Sequence, residues 1–216
     1  MIAANIQRIQ QQLGDSRLVV VSKFRSIPEI RTAYDVGQRL FAENRVQALL
    51  ERREQLPADI EWHLIGHLQT NKVKFIAPFI SMIHSVDSPK LLQEIQKEAE
   101  KNGRVIPVLM QVHIAMEETK FGWDSTELNS FLRTAEFKNM GNISIAGLMG
   151  MATLTADEQQ IRREFSGIKN LFDKLKNEFF SSDNNFKELS IGMSSDYLLA
   201  LENGSTMVRI GSAIFS

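Results

Sequence analysis

A lysine that directly follows an apolar run is the first residue with an evident capacity for chemistry. Lys23 comes immediately after LVVVS, residues 18–22. A charged ammonium is costly to remove from water, so burial at a strand end would favour the neutral amine. A neutral amine can attack an aldehyde to form a Schiff base. Position alone leaves open the alternative that Lys23 only extends from the strand end into solvent.

Two segments near the end of the sequence are rich in hydrogen-bond donors that could hold an anion. The segment GMSSD, with Ser194 and Ser195, opens a predicted helix, whose free N–H groups favour phosphate. Either serine could equally be an N-cap. In TMVRIGSAIF, Arg209 alternates with apolar residues, so we expect it to project into the protein interior as a fixed cation. Gly211 and Ser212 follow it with a backbone N–H and a hydroxyl.

Four histidines and one asparagine are the remaining polar candidates. His63 and His67 are four residues apart, a spacing that chelates metal on a helix, but WHLIGHLQTNK is typical of a strand that runs into a loop. We therefore predict no metal site. His84 and His113 fall at predicted strand ends, where they could bond to a loop or act in catalysis. Asn44 either caps the following helix or contacts a bound ring.

The elements that must position these residues are short apolar runs that alternate with longer amphipathic segments. Alternation of this kind is typical of parallel strands joined by helical crossovers. Five of the strands end next to a candidate residue. The eight predicted strands are Leu18–Ser22, Arg39–Phe41, Ile60–Leu64, Ser81–His84, Val105–Val112, Ile143–Leu148, Lys187–Ile191 and Thr206–Ile210.

Helix-start signals precede several of the amphipathic segments. Three match capping boxes, and a fourth is a serine followed by proline. These signals are Ser26-x-x-Glu29, Asp124-x-x-Glu127, Thr155-x-x-Glu158 and Ser88-Pro89.

Eight strands in about 190 residues predict a compact α/β fold, a single (β/α)8 barrel of the TIM type. An extra N-terminal helix, with Ile2, Ile6, Ile9 and Leu13 at helical spacing, would fill the place of a missing final outer helix. A doubly wound open sheet is the alternative, although no GxGxxG follows the first strand. In a parallel barrel, active sites lie at the carboxyl ends of the strands.

The composition is that of an ordinary globular protein. The 216 residues carry 25 Lys and Arg against 26 Asp and Glu, a net charge of −1, which argues against a dedicated nucleic-acid or anionic-membrane binder. There are no cysteines, which excludes disulfides and thiol chemistry. No apolar run reaches the roughly 18 residues of a membrane span. We expect one domain, residues 1–216, in the cytoplasm.

Seven segments that together span most of the chain resemble those of the pyridoxal phosphate homeostasis proteins, the YggS/PROSC family. They are VVVSKFRSIPEIRTAYDVGQRLFAENRVQ, EWHLIGHLQTNKVK, IHSVDS, LMQVHIAMEETKFGW, GLMGMAT, LSIGMSSDY and GSTMVRIGSAIF. The resemblance implies one barrel similar to the N-terminal domain of alanine racemase, of the fold type III class that binds pyridoxal 5'-phosphate (PLP).

The resemblance also implies which residues bind PLP. Lys23, in the SK motif, would carry the Schiff base, and Arg209 would face the pyridine nitrogen, where a cation disfavours protonation. Asn44 and His63 match positions near the ring. The residues that would surround the phosphate are Ser194, Ser195, Gly211 and Ser212.

Three places depart from the family pattern. The usual GEN is AEN in this chain, so Ala42 replaces a glycine. The usual QVN is QVH, which puts the role of an asparagine at His113 in doubt, and Ser216 stands where the family continues with glycine and arginine. None of these positions is among the residues expected to bind PLP.

The function that the resemblance implies is a PLP-binding protein of vitamin B6 and amino-acid homeostasis, which holds PLP reversibly and hands it to apo-enzymes. We expect a monomer with no nucleic-acid or membrane partner. An enzyme with weak racemase-like activity on an unidentified amino acid is the alternative. Racemisation needs a base on each face of the substrate, and Lys23 is the only evident one. A cofactor-free Schiff-base aldolase would share the lysine.

Overall fold

The computed structural model describes residues 1–115 and 121–216. Within these ranges, eight strands form a closed parallel barrel in chain order, in which the first strand pairs with the eighth. The predicted (β/α)8 architecture is therefore confirmed, and all eight predicted strands are present with boundaries shifted by a few residues. They are β1 (Arg17–Val21), β2 (Leu40–Glu43), β3 (Glu61–Leu64), β4 (Met82–Val86), β5 (Ile106–Gln111), β6 (Ile143–Met149), β7 (Glu188–Ser190) and β8 (Met207–Ile210).

Helices connect the strands around the outside of the barrel. In the described ranges they are α1 (Ile2–Gln10), α2 (Ile27–Asp35), α3 (Val46–Gln55), α4 (Val73–Ile76), α5 (Pro89–Lys101), α6 (Ser125–Leu132), α7 (Ala135–Lys138), α8 (Glu158–Phe179), α9 (Tyr197–Glu202) and α10 (Ser212–Phe215). A 3₁₀ turn, Thr70–Lys72, precedes α4. No helix of the described residues is long and apolar enough to cross a membrane.

The predicted helix starts are correct except for one. Ser26 forms the expected capping box with Glu29, and Asp124 accepts hydrogen bonds from the first N–H groups of α6. The prediction of a start at Thr155 is wrong, because Asp157 caps α8 through the N–H groups of Gln159 and Gln160. The Thr155 hydroxyl instead accepts a hydrogen bond from the Asp157 N–H.

Strand alternation separates two apolar layers. Alternate residues of each strand point outward and pack with the helices in one large shell, as Leu18 and Val20 of β1 do. The inward residues form a smaller cluster inside the barrel: Val19, Leu40, Ala42, Met82, Leu109, Ala146, Met149 and Met207. The same alternation turns the polar residues His63, His84, Ser190 and Arg209 inward, where all four are buried.

The last strand is followed by the single-turn helix α10, and α1 packs against both α10 and α2. The Asn5 side chain donates a hydrogen bond to the Ile214 carbonyl at 2.9 Å, and the Tyr197 hydroxyl donates one to Gln12 at 2.6 Å. Helix α1 therefore occupies the gap in the outer ring that the sequence predicted for it.

Candidate functional site

A cavity of about 650 Å³ lies at the carboxyl ends of the barrel strands. It is the place where the loops after β1, β2, β3, β7 and β8 meet. Seven of the eight predicted cofactor-binding residues line it: Lys23, Asn44, Ser194, Ser195, Arg209, Gly211 and Ser212. A larger cleft of about 820 Å³ lies outside the barrel between α6 and α8, and none of the predicted residues lines it.

Lys23 enters the cavity from the loop after β1. Its side chain is exposed and makes no hydrogen bond or ion pair with the residues that the structure describes. The expectation that this lysine is desolvated by burial is therefore wrong, because the strand ends two residues earlier in a cavity that is open to solvent. The next residue, Phe24, has a left-handed φ of 63°, which an aromatic side chain rarely adopts, so the chain turns sharply directly after Lys23.

Arg209 lies at the floor of the cavity and is only 4% exposed. Its Nη1 donates to the carbonyl and hydroxyl oxygens of Ser190, both at 2.6 Å, and its Nη2 donates to the Gly150 carbonyl at 2.9 Å. Burial lowers the pKa of Arg209 to about 10, so the guanidinium remains charged near neutral pH. The side chain is thus a fixed cation with a set orientation, as its alternation with apolar residues predicted.

His63 does not line the cavity but lies deeper in the barrel, paired with a second histidine. Its Nδ1 is 2.8 Å from Nε2 of His84, and Nδ1 of His84 is 3.1 Å from the Ser190 hydroxyl that Arg209 contacts. Burial lowers the pKa of His63 to about 3 and that of His84 well below its ordinary value. Both rings are therefore neutral near pH 7, and they act as a hydrogen-bonded support behind Arg209.

The two C-terminal donor segments lie side by side. The Ser194 hydroxyl oxygen accepts hydrogen bonds from the N–H groups of Gly211 and Ala213, both at 3.3 Å. Neither Ser194 nor Ser195 is the N-cap of α9, because Asp196 occupies that position. The hydroxyls of Ser194, Ser195 and Ser212 therefore lie around one end of the cavity. The chain is closely packed there, since a Cβ on Gly211 would lie only 3.0 Å from the Val21 carbonyl oxygen.

Asn44 lines the cavity, whereas Glu43 before it is buried in a structural ion pair. Arg45, not Asn44, is the N-cap of α3, so Asn44 is left to line the cavity. Glu43 points away from solvent, accepts a hydrogen bond from Ser22 at 2.5 Å and pairs with Arg52 at 3.2 Å. Burial raises the pKa of Glu43 above its ordinary value. The pair ties α3 to the ends of β1 and β2.

The loop after β3 contributes residues that the sequence analysis did not select. A Cβ on Gly66 would lie 2.1 Å from the Asn44 carbonyl oxygen, so this loop runs directly against the end of β2. The Ser85 hydroxyl holds it there through a 2.6 Å hydrogen bond to the Gly66 carbonyl. The close contact brings His67, for which the sequence suggests only a metal-ligand role, to the rim of the cavity.

Replacing Gly66 with alanine is expected to lower the free energy of unfolding by about 2–3 kcal/mol, because the new methyl group collides with backbone that cannot rotate away. Gly141→Ala is the matched control, since a Cβ there meets nothing within 4 Å. Urea denaturation of both variants tests this. Equal stability of the two variants would show that the loop is not packed as described.

Other cavity-lining residues that the sequence analysis missed are Phe121, whose ring is exposed at the rim, and Gln111 and Met151. The Gln111 amide donates to the Phe121 carbonyl at 2.9 Å. The sequence could have predicted Gln111 as a lining residue, because it is a polar residue at the end of β5. No local sequence pattern predicts that Phe121 lines the cavity. Part of the segment LMQVHIAMEETKFGW, residues 116–120, lies outside the described residues.

Comparisons with known proteins agree on one family. The profile of the family described as "Alanine racemase, N-terminal domain" matches residues 1–216. The "Pyridoxal phosphate homeostasis protein" of Aquifex aeolicus is 36% identical over 219 residues, which cover 97% of this chain and 93% of the relative.

Solved structures extend this similarity to the fold. PipY of Synechococcus elongatus without PLP is 33% identical, with a TM-score of 0.93 over 100% of both chains. The same protein with PLP bound is 32% identical, with a TM-score of 0.90 over 100% of both chains. An alanine racemase from Bartonella henselae is 16% identical, and the match covers 99% of this chain and 57% of the racemase chain. Its TM-score of 0.74 shows that the two share the fold.

Proposed function

Since the chain belongs to the alanine racemase N-terminal domain family, and within it to the pyridoxal phosphate homeostasis proteins, we propose that it binds pyridoxal 5'-phosphate at Lys23 and thereby serves vitamin B6 and amino-acid homeostasis. The observation that carries the proposal is the convergence of seven residues predicted from the sequence on one cavity. The PLP-bound structure of a relative with the same fold supports it further.

The chemistry of the cavity lining fits PLP. A phosphate needs hydrogen-bond donors, and the hydroxyls of Ser194, Ser195 and Ser212 would supply them beside Gly211 at one end of the cavity. No carboxylate of the described residues lines the cavity. At the floor, Arg209 is a rigid cation, and beside the pyridine nitrogen it would disfavour protonation of that nitrogen.

The aldehyde of bound PLP supplies a reversible covalent link to a primary amine. Lys23 would provide that amine, and this role is supported by a side chain that lines the cavity and makes no hydrogen bond or ion pair with a described residue. Asn44 would contact the ring from the end of β2. His63 would act indirectly, through His84 and Ser190, by holding the Arg209 guanidinium in place.

The role that we propose is storage and delivery of PLP, with weak racemase-like activity as the alternative. Neither tyrosine lines it: the Tyr34 hydroxyl donates to Asp59, and the Tyr197 hydroxyl donates to Gln12. A phenol opposite Lys23 is therefore lacking among the described lining residues. In this proposal residues 1–216 are one PLP-binding domain that acts as a cytoplasmic monomer and passes PLP to apo-enzymes.

The direct test is reduction of the PLP-loaded protein with borohydride, followed by peptide mass mapping. A Schiff base is reduced to a stable pyridoxyl adduct, so we expect the added mass on the peptide that contains Lys23 and the loss of the yellow colour. An unmodified Lys23 after incubation with PLP would refute the proposal. Modification of Lys23 by pyridoxal without phosphate, to the same extent at equal concentration, would refute the phosphate site.

A further inference from the structure

His67 is a residue of the cavity rim whose arrangement the proposed binding of PLP does not explain. It follows Gly66 in the loop after β3, and its side chain is 46% exposed. It is nonetheless fixed on two sides: its ring stacks on Phe121 with centroids 4.3 Å apart and planes at 20°, and its Nδ1 is 3.0 Å from Oδ2 of Asp87. The ring therefore has a fixed orientation although it is exposed.

Asp87 sets the proton arrangement of the His67 ring. The Asp87 side chain is only 10% exposed, and its second oxygen accepts a hydrogen bond from the Ser88 hydroxyl at 3.1 Å. A carboxylate can only accept, so the neutral His67 ring carries its hydrogen on Nδ1. Nε2 is then left with a free lone pair. A carboxylate that fixes the tautomer of a histidine is the arrangement of a general base.

The composition of the cavity lining leaves the His67 ring as the candidate for a general base. The titratable side chains that line the cavity in the described part of the chain are Lys23, Arg25, His67 and Arg209. Arginine does not act as a base at neutral pH, and Lys23 is the amine that the proposed link consumes. His67 is therefore the only remaining base of that lining.

We propose that His67 is the general base through which an incoming amine displaces Lys23 from PLP, so that PLP is released to amino compounds. The inference rests on the proposed function. An amino acid arrives as an ammonium, which has no lone pair for attack. Nε2 of His67 takes a proton from it, and the freed nitrogen bonds to the carbon that Lys23 Nζ holds. As the carbon–nitrogen double bond moves from Nζ to the incoming nitrogen, the two hydrogens left on that nitrogen pass to Nζ. Nζ takes its third proton from His67 and leaves as the ammonium of Lys23. Proton and charge are balanced, and no oxidant is needed.

The test compares two amines on His67→Gln and on the wild type, both loaded with PLP. Glycine is protonated at neutral pH and needs a base, whereas methoxyamine is uncharged and does not. Borohydride quenching at successive times, with mass mapping of the Lys23 peptide, gives the rate of displacement. We expect His67→Gln to slow displacement by glycine by about 100-fold, the lower range of general-base contributions, and to leave displacement by methoxyamine unchanged.

Added imidazole is expected to restore the glycine rate in His67→Gln. His113→Gln is the matched control, because His113 lines the cleft outside the barrel instead of the PLP cavity. A wild-type glycine rate in His67→Gln, or equal slowing with both amines, would overturn the role of His67 while leaving PLP binding intact. Failure of the wild type to form the Lys23 adduct would overturn both proposals.

A second readout does not depend on loaded protein. Nitrogen-15 NMR of the unloaded chain is expected to show His67 with hydrogen on Nδ1 and a bare Nε2. Asp87→Ala is expected to remove that tautomer preference and to slow glycine displacement. A ring that carries its hydrogen on Nε2 in the wild type would contradict the assignment, because Nε2 would then have no lone pair to offer.

Discussion

The Lys23→Ala variant is expected to lose all preference for pyridoxal phosphate over pyridoxine phosphate, which has the same ring and phosphate but no aldehyde. In the wild type the proposed covalent link would add to the proposed phosphate and ring contacts. We expect it to favour the aldehyde by at least about 100-fold, equivalent to about 2.8 kcal/mol. Without the amine of Lys23 only the shared contacts remain, so the ratio of the two dissociation constants falls to about one. Isothermal titration of both ligands measures it.

Lys23→Arg is the matched control for charge. It keeps a cation at the end of β1 but offers no primary amine, so it is expected to behave like Lys23→Ala in the affinity ratio. If either variant still preferred the aldehyde, another amine would be the point of attachment. Because both ligands are measured on the same variant, any change in cavity shape affects both dissociation constants and cancels in their ratio.

Acidification is expected to destabilise the protein through the two histidines inside the barrel. In the unfolded chain each histidine binds a proton below about pH 6.5, whereas the folded pKa of His63 is about 3 and that of His84 is well below 6.5. The unfolded state therefore binds more protons as the pH falls, and the free energy of unfolding decreases. Between about pH 7 and about pH 5.5 the expected loss is roughly 2–3 kcal/mol for the pair, from the linkage of about 1.4 kcal/mol per pH unit and proton.

Urea denaturation across that pH range measures the loss. The range lies above the ordinary pKa values of aspartate and glutamate, so the exposed carboxylates contribute little to the slope. The buried Glu43 acts in the opposite direction: its raised pKa means that the folded state takes up its proton first as the pH falls. His63→Gln and His84→Gln, each with one titrating ring fewer, are expected to show about half of the wild-type slope. A wild-type stability that does not change between the two pH values would contradict a neutral histidine pair.

Local sequence patterns were sufficient for the elements and for most of the cavity. The alternation in MVRI predicted that Arg209 points inward, and the barrel rule for strand ends brought together Lys23, Asn44 and the two serines. These predictions worked because period-two alternation and parallel topology fix which residues meet at the carboxyl ends.

Long-range contacts were beyond the reach of those patterns. The strand register pairs His63 of β3 with Met82 of β4. His84 is the next inward residue of β4, and it therefore lies within hydrogen-bond distance of His63. The dyad of His67 and Asp87 likewise joins the loops after β3 and β4, twenty residues apart in sequence. No local pattern predicts that Gly66 must be glycine, because the requirement comes from its close contact with the Asn44 carbonyl of another loop.

The charges of the cavity lining also govern how fast an anion reaches it. Lys23, Arg25 and Arg209 line the cavity, and no carboxylate of the described residues is among them, although the whole chain carries a net charge of −1. A concave surface of one sign concentrates field lines and steers oppositely charged ligands, which raises the association rate. Salt screens this attraction over about 8 Å at physiological ionic strength. We therefore expect capture of a phosphorylated ligand to slow as ionic strength rises, whereas the proposed displacement of Lys23 by an amine already in the cavity would not share that dependence.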